Sequence, residues 1–160
     1  MRGRGATIFQ PAMNPVFQLL SDHEVPVLLE LMREFYAQTH MTFSENTARA
    51  AVGKLLKDPS QGEVYFIFHG SDLAGYFALT FCFSLEFHGR FALLDELYIR
   101  EPFRHRGLGK AVMAFAENSC RHAGVKALRL EVGEDNHTAQ ALYTASGLQK
   151  DSRFLFTKWL

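Results

Sequence analysis

The sequence lacks several features that would assign a protein quickly to a class. Its 160 residues include only two cysteines and one tryptophan, and its 17 basic side chains are balanced by 17 acidic ones. A neutral net charge argues against a general binder of nucleic acid, because such modules carry a basic excess that displaces counterions. No apolar run is long enough to span a bilayer, so we expect no membrane partner.

The two cysteines, Cys82 and Cys120, fall in a strand-like and a helix-like pattern. They form no metal-ligand pair with the scattered histidines, so the sequence predicts no metal site. We interpret both as reduced thiols in the core. The basic opening, Met1 to Gly5, lacks the apolar stretch of a secretory signal. We therefore expect a cytoplasmic protein in which residues 1–12 form a flexible tail.

Hydrophobic residues make up 48% of the chain, which suits one domain with a substantial core over residues 13–160. The hydrophobic periodicity predicts the order strand, helix, helix, three strands, helix, strand, helix, strand. This order indicates an α/β protein with a mixed sheet and helices on both of its faces. The first two helices are predicted at roughly 22–38 and 45–57, and Asp58-Pro59 ends the second.

The predicted strands are marked by different patterns. Bulky and smaller side chains alternate with a strict period of two from Tyr76 to Phe87. The stretch from Phe91 to Ile99 indicates a buried strand that Asp95-Glu96 interrupts. Further strands are predicted from Val125 to Val132 and, at the end of the chain, from Arg153 to Trp159.

The most informative stretch lies between the interrupted strand and a long amphipathic helix. It reads Arg104-His105-Arg106-Gly107-Leu108-Gly109-Lys110. Glycines at such a turn let the backbone approach a ligand, and the first free N–H groups of the helix point outward with the positive end of its dipole. The basic side chains add mobile positive charge. This stretch therefore predicts an anion cradle whose natural ligand is a pyrophosphate.

Two familiar glycine-rich patterns do not fit this stretch. A Walker-type loop needs a longer gap between its glycines and a Ser or Thr after the lysine, whereas Ala111 follows Lys110. A Rossmann fingerprint needs a third glycine where Val112 stands, within an opening strand–turn–helix unit. Both classes of nucleotide-binding loop are therefore set aside.

One pattern does fit. It consists of Gln or Arg, any two residues, Gly, any one residue, and then Gly or Ala. In this chain its fixed positions are Arg104, Gly107 and Gly109. With it the chain resembles the GNAT superfamily of acyl-CoA-dependent N-acetyltransferases. A second match lies downstream, where Asn136 and Tyr143 project from one face of a predicted helix, roughly 10 Å apart along its axis. The two matches together are far more specific than either alone, and the predicted order of elements is also that of the GNAT fold.

The resemblance implies a mixed, mostly antiparallel sheet of six to seven strands that splays between strands four and five. It also implies acetyl-CoA as the cosubstrate, with the pantetheine arm held between the splayed strands like an extra strand. The asparagine of the family contacts the pantetheine or phosphate arm. The cofactor-binding residues implied are Leu97, Tyr98, Ile99, Arg104, His105, Arg106, Gly107, Leu108, Gly109, Lys110 and Asn136.

The implied reaction moves an acetyl group directly to a primary amine of a small molecule in a ternary complex, which needs alignment of the reactants above all. Tyr143 is the candidate proton donor to the leaving thiolate, because a phenol with a pKa near 10 stays protonated at neutral pH. The acceptor amine arrives as an ammonium ion and must lose a proton, and Asp95 and Glu96 are the candidate carboxylates. Asp95 is preferred for contact with the acceptor, and Glu96 is the other possible base. Strand alternation points them apart unless a bulge intervenes, and either could instead form a salt bridge with Arg100 or Arg104.

Other functions stay open at this point. A protein acetyltransferase acting on N-termini or lysines would need an open peptide groove. A non-catalytic regulator that binds acyl-CoA would have the same fold without turnover. The sequence does not identify the acceptor amine. Many members of the family form dimers through sheet edges or helices, so a homodimer is also left open.

Overall fold

The computed structural model describes residues 14–160, and the tail predicted for residues 1–12 lies outside the described residues. The strands are β1 (Val16–Leu19), β2 (Gly62–His69), β3 (Asp72–Ser84), β4 (Gly89–Ile99) and β5 (Leu128–Leu130). The helices are α1 (Val25–Gln38), α2 (Glu45–Lys57), α3 (Leu108–His122) and α4 (His137–Ala145). Single 3-10 turns at Asp22–Glu24 and Glu101–Phe103 precede α1 and α3.

The five strands form one sheet in the order β1-β2-β3-β4-β5. The first four strands pair antiparallel, and β5 pairs parallel to β4. The mixed, mostly antiparallel sheet is thus confirmed, but the expected six to seven strands are wrong, because the described residues form five. The stretch from Arg153 to Trp159 has a strand-like composition and is not in a strand. A strand needs a second strand to supply its hydrogen bonds, and no edge of residues 14–160 does so here.

The helices cover both faces of the sheet, as predicted. On one face, α1 and α2 pack on the sheet around Leu28, Phe66 and Tyr76. On the other, α3 packs through Val112 against Phe77 and neighbouring side chains of β2 to β4. The central strands are therefore buried on both sides, which explains their nearly continuous apolar composition.

Local signals fix the ends of α1 and α2. Ser21 and Glu24 form a reciprocal capping box before α1, in which the Ser21 amide donates to Glu24 Oε2 at 3.0 Å. Ser44 precedes α2, and the helix ends at Lys57, just before Asp58-Pro59. Helix α2 occupies the predicted range, and α1 ends at Gln38 as predicted but begins at Val25, because residues 22–24 form a 3-10 turn.

The end of β3 departs from the prediction. The alternating pattern continues to Phe87, but the strand ends at Ser84 because a turn to β4 begins there, with His88 at φ 53° and its amide donating to Leu85. The buried part of β3 ends at Leu79, so Cys82 is exposed and the prediction of a core thiol is wrong for it. Cys120 is buried, as predicted. None of the helices described in residues 14–160 is both long and apolar enough to cross a membrane.

Candidate active site

A β-bulge lies at the two acidic residues of β4. Ala78 of β3 faces Glu96, and the next residue, Leu79, faces Leu94, so Asp95 has no partner across the strands. The bulge reverses the alternation at this point. Leu94 packs toward α3, whereas the Glu96 side chain lies on the α1 and α2 face. Simple alternation, which puts these two side chains on one face, is therefore wrong here, and Asp95 is exposed at the kink.

Two tyrosines hold the Glu96 carboxylate. The Tyr36 hydroxyl, on α1, donates to Oε1 at 2.7 Å, and the Tyr76 hydroxyl, on β3, donates to Oε2 at 2.7 Å. Both tyrosine rings belong to the packed core of this face. Because each carboxylate oxygen has its own donor, the carboxylate is fixed in one orientation beside the bulge.

The surroundings of this cluster shift its pKa values in predictable directions. Burial raises the pKa of Glu96, the two tyrosine hydrogen bonds act in the opposite direction, and the neighbouring Asp95 charge raises it further. Asp95 is exposed, but the protein around it removes part of its hydration and so raises its pKa as well. Burial and the Glu96 carboxylate raise the pKa values of Tyr36 and Tyr76, so both remain protonated donors at neutral pH. Glu96 thus binds a proton more readily than an ordinary glutamate.

Neither candidate carboxylate forms a salt bridge with a neighbouring arginine. Arg100 pairs with Glu34 of α1, with 2.7 Å between Nη2 and Oε1 and 2.9 Å between Nε and Oε2. Arg104 donates from Nε to the Ile99 carbonyl at 2.8 Å and from Nη2 to Gln38 Oε1 at 2.5 Å. The salt-bridge interpretation of Asp95 and Glu96 is therefore wrong, since both arginines have other partners.

The other side of β4 has an open backbone edge. The β4–β5 ladder contains three pairs and ends where Leu94 faces Leu130, five residues before β4 itself ends. Arg100 donates its amide to Ala74 on the β3 side at 2.8 Å. Successive residues of a strand turn their amides to opposite edges, so Leu97 and Ile99 turn theirs away from β3. These are the backbone groups that the resemblance assigns to the pantetheine arm.

A row of unpaired amides lies at the start of α3. Among the described residues, no backbone or side-chain acceptor takes a hydrogen bond from the amides of residues 105–110. The first hydrogen bond of the helix is the one that the Ala111 amide donates to the Gly107 carbonyl at 3.0 Å. Free N–H groups and the positive end of the helix dipole together favour an anion at this position.

The two glycines of this loop have different roles. Gly107 adopts φ 79°, a left-handed conformation that other residues rarely take, and no atom lies within 4 Å of where its Cβ would be. A Cβ on Gly109 would lie 2.8 Å from Leu142 Cδ2. Gly107 therefore shapes the turn and leaves open space above it, whereas Gly109 lets α3 and α4 pack closely.

The charged side chains of the loop do not all face the amides. The Arg104 guanidinium is held by Ile99 and Gln38, as described above. The Arg106 guanidinium lies over the Phe103 ring, 5.8 Å from its centroid. His105 and Lys110 are exposed, and His105 adopts φ 60°. The backbone amides are thus the groups already arranged for an anion, and the exposed cations can supplement them.

Asn136 and Tyr143 lie on α4, as predicted. Asn136 caps the helix, because its Oδ1 accepts from the Ala139 amide at 3.1 Å, and its side-chain nitrogen Nδ2 has no hydrogen-bond partner within residues 14–160. Tyr143 is half-buried against the α3 core, and burial raises its pKa. Its hydroxyl has no hydrogen-bond partner among the described residues, and no buried side-chain oxygen there is left unsatisfied, so it remains accessible.

The structure adds two residues that the sequence interpretation did not select, Tyr36 and Tyr76. Their only sequence signal is a polar tip at otherwise apolar positions of α1 and β3. A groove of about 330 Å³ between the second half of α3 and β5, lined in part by Glu117, Cys120 and Leu148, contains none of the predicted site residues. The candidate site is instead the region around the second half of β4, which we name the cleft: the Glu96 cluster on one side, and the open edge of Leu97 and Ile99 with the loop at residues 105–110 on the other.

The fold is that of an α/β protein in which the β4–β5 ladder stops before the end of β4. Its helix α3 begins with unpaired backbone amides that favour an anion. The model of the acetyltransferase (GNAT) family matches residues 25–148, and the chain belongs to this family. The match includes the whole candidate site, from Tyr36 to Tyr143.

Two individual proteins are similar to this chain over most of their length. The chain is 28% identical over 151 residues to an uncharacterized N-acetyltransferase in the pepI 3' region of Lactobacillus delbrueckii subsp. lactis, with 86% of each chain covered. The crystal structure of integron cassette protein HFX_CASS3, from the mobile metagenome of Cole Harbour Salt Marsh, is similar with a TM-score of 0.82 at 29% identity, covering 97% of this chain and 96% of that one.

A more distant structure shares the fold. Aminoglycoside N-acetyltransferase AAC(6')-Iy, in complex with CoA, is 13% identical with a TM-score of 0.75, covering 91% of this chain and 94% of that one. At this identity the similarity concerns the fold alone.

Proposed function

We propose that the protein transfers an acetyl group from acetyl-CoA to a primary amine of a small molecule, by direct transfer in a ternary complex. Family membership supports the acyl transfer, and the CoA complex of a structural neighbour supports the cosubstrate. The single observation that carries the proposal is the row of unpaired amides at residues 105–110, next to the open edge of β4.

The residues present fit a CoA molecule. The amides of residues 105–110 would hold its diphosphate, helped by the exposed cations of Arg106 and Lys110. The amides of Leu97 and Ile99 would hydrogen-bond the pantetheine arm as a strand partner, and the side-chain nitrogen Nδ2 of Asn136 would donate to the same arm. When bound, acetyl-CoA supplies an activated thioester. The remaining chemistry belongs to side chains beside β4.

Glu96 would serve as the base. An amine arrives as an ammonium ion at neutral pH and must lose a proton before its lone pair can attack the thioester carbonyl. Glu96 would accept that proton, directly or through a water molecule, with its orientation fixed by Tyr36 and Tyr76. Asp95, exposed at the bulge one residue away, would attract the ammonium ion by charge.

Tyr143 would complete the transfer on the other side of the cleft. Its raised pKa keeps the phenol protonated, and its free hydroxyl can donate a proton to the leaving thiolate. The same geometry would place the amides near Leu97 close to the carbonyl oxygen, which needs a hydrogen-bond donor as it gains negative charge.

The test is a thiol-release assay with acetyl-CoA and a panel of acceptors, namely diamines, amino acids, aminoglycosides and peptides with free N-termini or lysines. We expect acceptor-dependent release of CoA with at least one small amine, together with a mass increase of one acetyl group on it. Release with peptides alone would favour a protein acetyltransferase. Tight CoA binding without release on any acceptor would favour a regulator and contradict the proposal.

A further inference from the structure

The two tyrosines that hold Glu96 are supported by different parts of the molecule. Tyr76 lies within β3 and is only 1% exposed, so the surrounding core fixes the position of its hydroxyl. Tyr36 is half-buried and lies in the last turn of α1, which ends at Gln38. Because the ends of helices fray, the Tyr36 ring depends on contacts from outside α1 to stay in one place.

The loop between α1 and α2 supplies such a contact. The Met41 amide donates to the Tyr36 carbonyl at 2.9 Å, so the chain turns back over the end of α1. Two residues later, the Phe43 ring meets the Tyr36 ring with 5.6 Å between the centroids and 75° between the planes. Aromatic pairs prefer this edge-to-face arrangement. Phe43 therefore limits how far the Tyr36 ring can turn.

The Phe43 ring is itself held from its other neighbours. The Arg33 guanidinium, on α1, lies over this ring at 5.4 Å from its centroid. Arg33 Nη2 lies 2.6 Å from Glu45 Oε2 at the start of α2, and Arg49 pairs with the second oxygen of Glu45 at 3.0 Å. Exposed ion pairs add little stability. Here they place a cation over the ring that contacts Tyr36.

We infer that Phe43 is a positioning residue for the proposed reaction, because its ring holds the Tyr36 hydroxyl 2.7 Å from Glu96 Oε1 and so keeps the carboxylate in one orientation. The inference rests on the proposed function, since it takes Glu96 as the base. Phe43 acts through Tyr36 in this account and meets no reacting atom. The loop between α1 and α2 thereby contributes to a base that lies on β4.

A positioning role and a simple loss of packing shift the pKa of Glu96 in opposite directions. The titratable groups that face Glu96 are Tyr36 from α1, Tyr76 from β3 and Asp95 from β4. Phe43 carries no charge. Loosening the Tyr36 hydrogen bond raises the pKa of Glu96, whereas admitting water lowers it, because burial is the main cause of its raised value.

The first test follows the Glu96 carboxyl carbon by NMR as the pH is varied without ligand, with its signal assigned by its absence in Glu96→Gln. We expect Phe43→Leu to move the titration to higher pH, in the direction of Tyr36→Phe but less far. Phe43→Tyr retains the ring and should titrate like the wild type. Phe68→Leu is the matched control, because this half-buried phenylalanine packs on the same core but pairs with Phe66, and it should not move the titration.

The second test measures the pH dependence of the rate. On the acidic limb, Phe43→Leu should lower the rate roughly 2- to 10-fold, the factor that corresponds to one aromatic pair. The dissociation constant for acetyl-CoA should not change, because the row of unpaired amides is left intact. Adding Phe43→Leu to Tyr36→Phe should cause no further shift, since the donor that Phe43 positions is already absent.

The outcomes separate this inference from the proposed function. A Glu96 titration that Phe43→Leu leaves unchanged or moves to lower pH would overturn the inference, and so would a further rise in the Tyr36→Phe background. These results would leave the role of Glu96 as the base standing. A titration that moves as expected without any change in the pH dependence of the rate would support the positioning of Glu96 by Phe43 and contradict only the proposed role of Glu96.

Discussion

The two sides of the candidate site differ in how completely their polar groups are paired. On the α1 and α2 side, Glu96 has a hydrogen-bond donor on each of its carboxylate oxygens, and Arg100 is paired with Glu34. On the α3 side, the β5 ladder stops at Leu94 and the amides of residues 105–110 have no partner in the described part of the chain. The polar groups named on the first side are hydrogen-bonded without a ligand, whereas the backbone amides on the second side are not.

This difference indicates two different tasks. A fully bonded carboxylate keeps its position before any substrate arrives, which suits a group that must meet a proton in one geometry. Unpaired amides at a helix start gain partners only when an anion binds, which suits the recognition of a phosphate group. The comparison predicts that changes on the first side affect turnover, and that changes on the second affect cosubstrate affinity.

The largest effect is expected for Glu96→Gln. The amide keeps the shape of the side chain but cannot accept the proton, so kcat should fall about 10²- to 10⁴-fold while acetyl-CoA affinity is unchanged. Asp95→Asn is the matched control and should raise KM for the acceptor more than it lowers kcat. Full turnover of Glu96→Gln in the thiol-release assay would assign the base elsewhere.

A smaller loss of turnover is expected for Tyr143→Phe. Removing the hydroxyl leaves the ring packed against the core but deprives the leaving thiolate of its donor, so kcat should fall about 100-fold. The dissociation constant for acetyl-CoA, measured by calorimetry, should change less than about twofold, because the ring that packs there is retained. Unchanged kcat would remove the proton-donor role from this residue.

On the open side, Gly107→Asp should weaken acetyl-CoA binding about tenfold or more, because the new carboxylate repels the diphosphate. Gly124→Asp is the matched control: Gly124 also has a left-handed φ, 68°, and open space at its Cβ position, but lies beyond the other end of α3. Both variants should lose similar stability, and only Gly107→Asp should lose affinity. Equal affinities by calorimetry would contradict the cradle.

Gly109→Ala should act through packing. Its Cβ would lie 2.8 Å from Leu142 Cδ2, the end of a side chain that can shift, so the free energy of unfolding should fall by at most about 1 kcal/mol. Adding Leu142→Ala makes room and should recover part of this loss beyond simple additivity, which chemical denaturation of the four proteins measures. Strict additivity would mean that the two residues do not meet.

The smallest effect is a shift in the pH profile of Tyr36→Phe. The rate should fall as the pH falls through the pKa of Glu96, since only the ionised carboxylate accepts a proton. Removing the Tyr36 donor removes an interaction that lowers this pKa, so the acidic limb should move to higher pH. A limb that moves to lower pH, or does not move, would separate Glu96 from the rate.

Local signals explain why much of the fold follows from the sequence. The capping box at Ser21 and the Pro59 stop are contained within a few residues, and they mark the start of the 3-10 turn that leads into α1 and the end of α2. The stretch from Arg153 to Trp159 fails as a strand prediction because strand formation depends on a distant edge rather than on composition. The β3 prediction overran for a similar reason, since the turn at His88 overrides the alternation.

The site was predictable to a different extent on its two sides. The loop from Arg104 to Lys110 is contiguous, so its glycines and amides can be recognised together in the sequence. The Glu96 cluster joins residues 60 and 20 positions apart in the chain, Tyr36 and Tyr76, through a bulge at Asp95. No local pattern encodes such contacts, although Asp95-Glu96 does mark the interruption of the strand.

The most direct test of the central claim is an amide NMR titration of the wild-type protein with acetyl-CoA. We expect saturable shifts for the amides of residues 105–110 and of Leu97, and smaller ones for Gly53 in α2, far along the chain from the cleft. Pantetheine, which lacks the diphosphate, should shift Leu97 but not residues 105–110. Saturable binding of acetyl-CoA that leaves the amides of residues 105–110 unshifted would contradict the account.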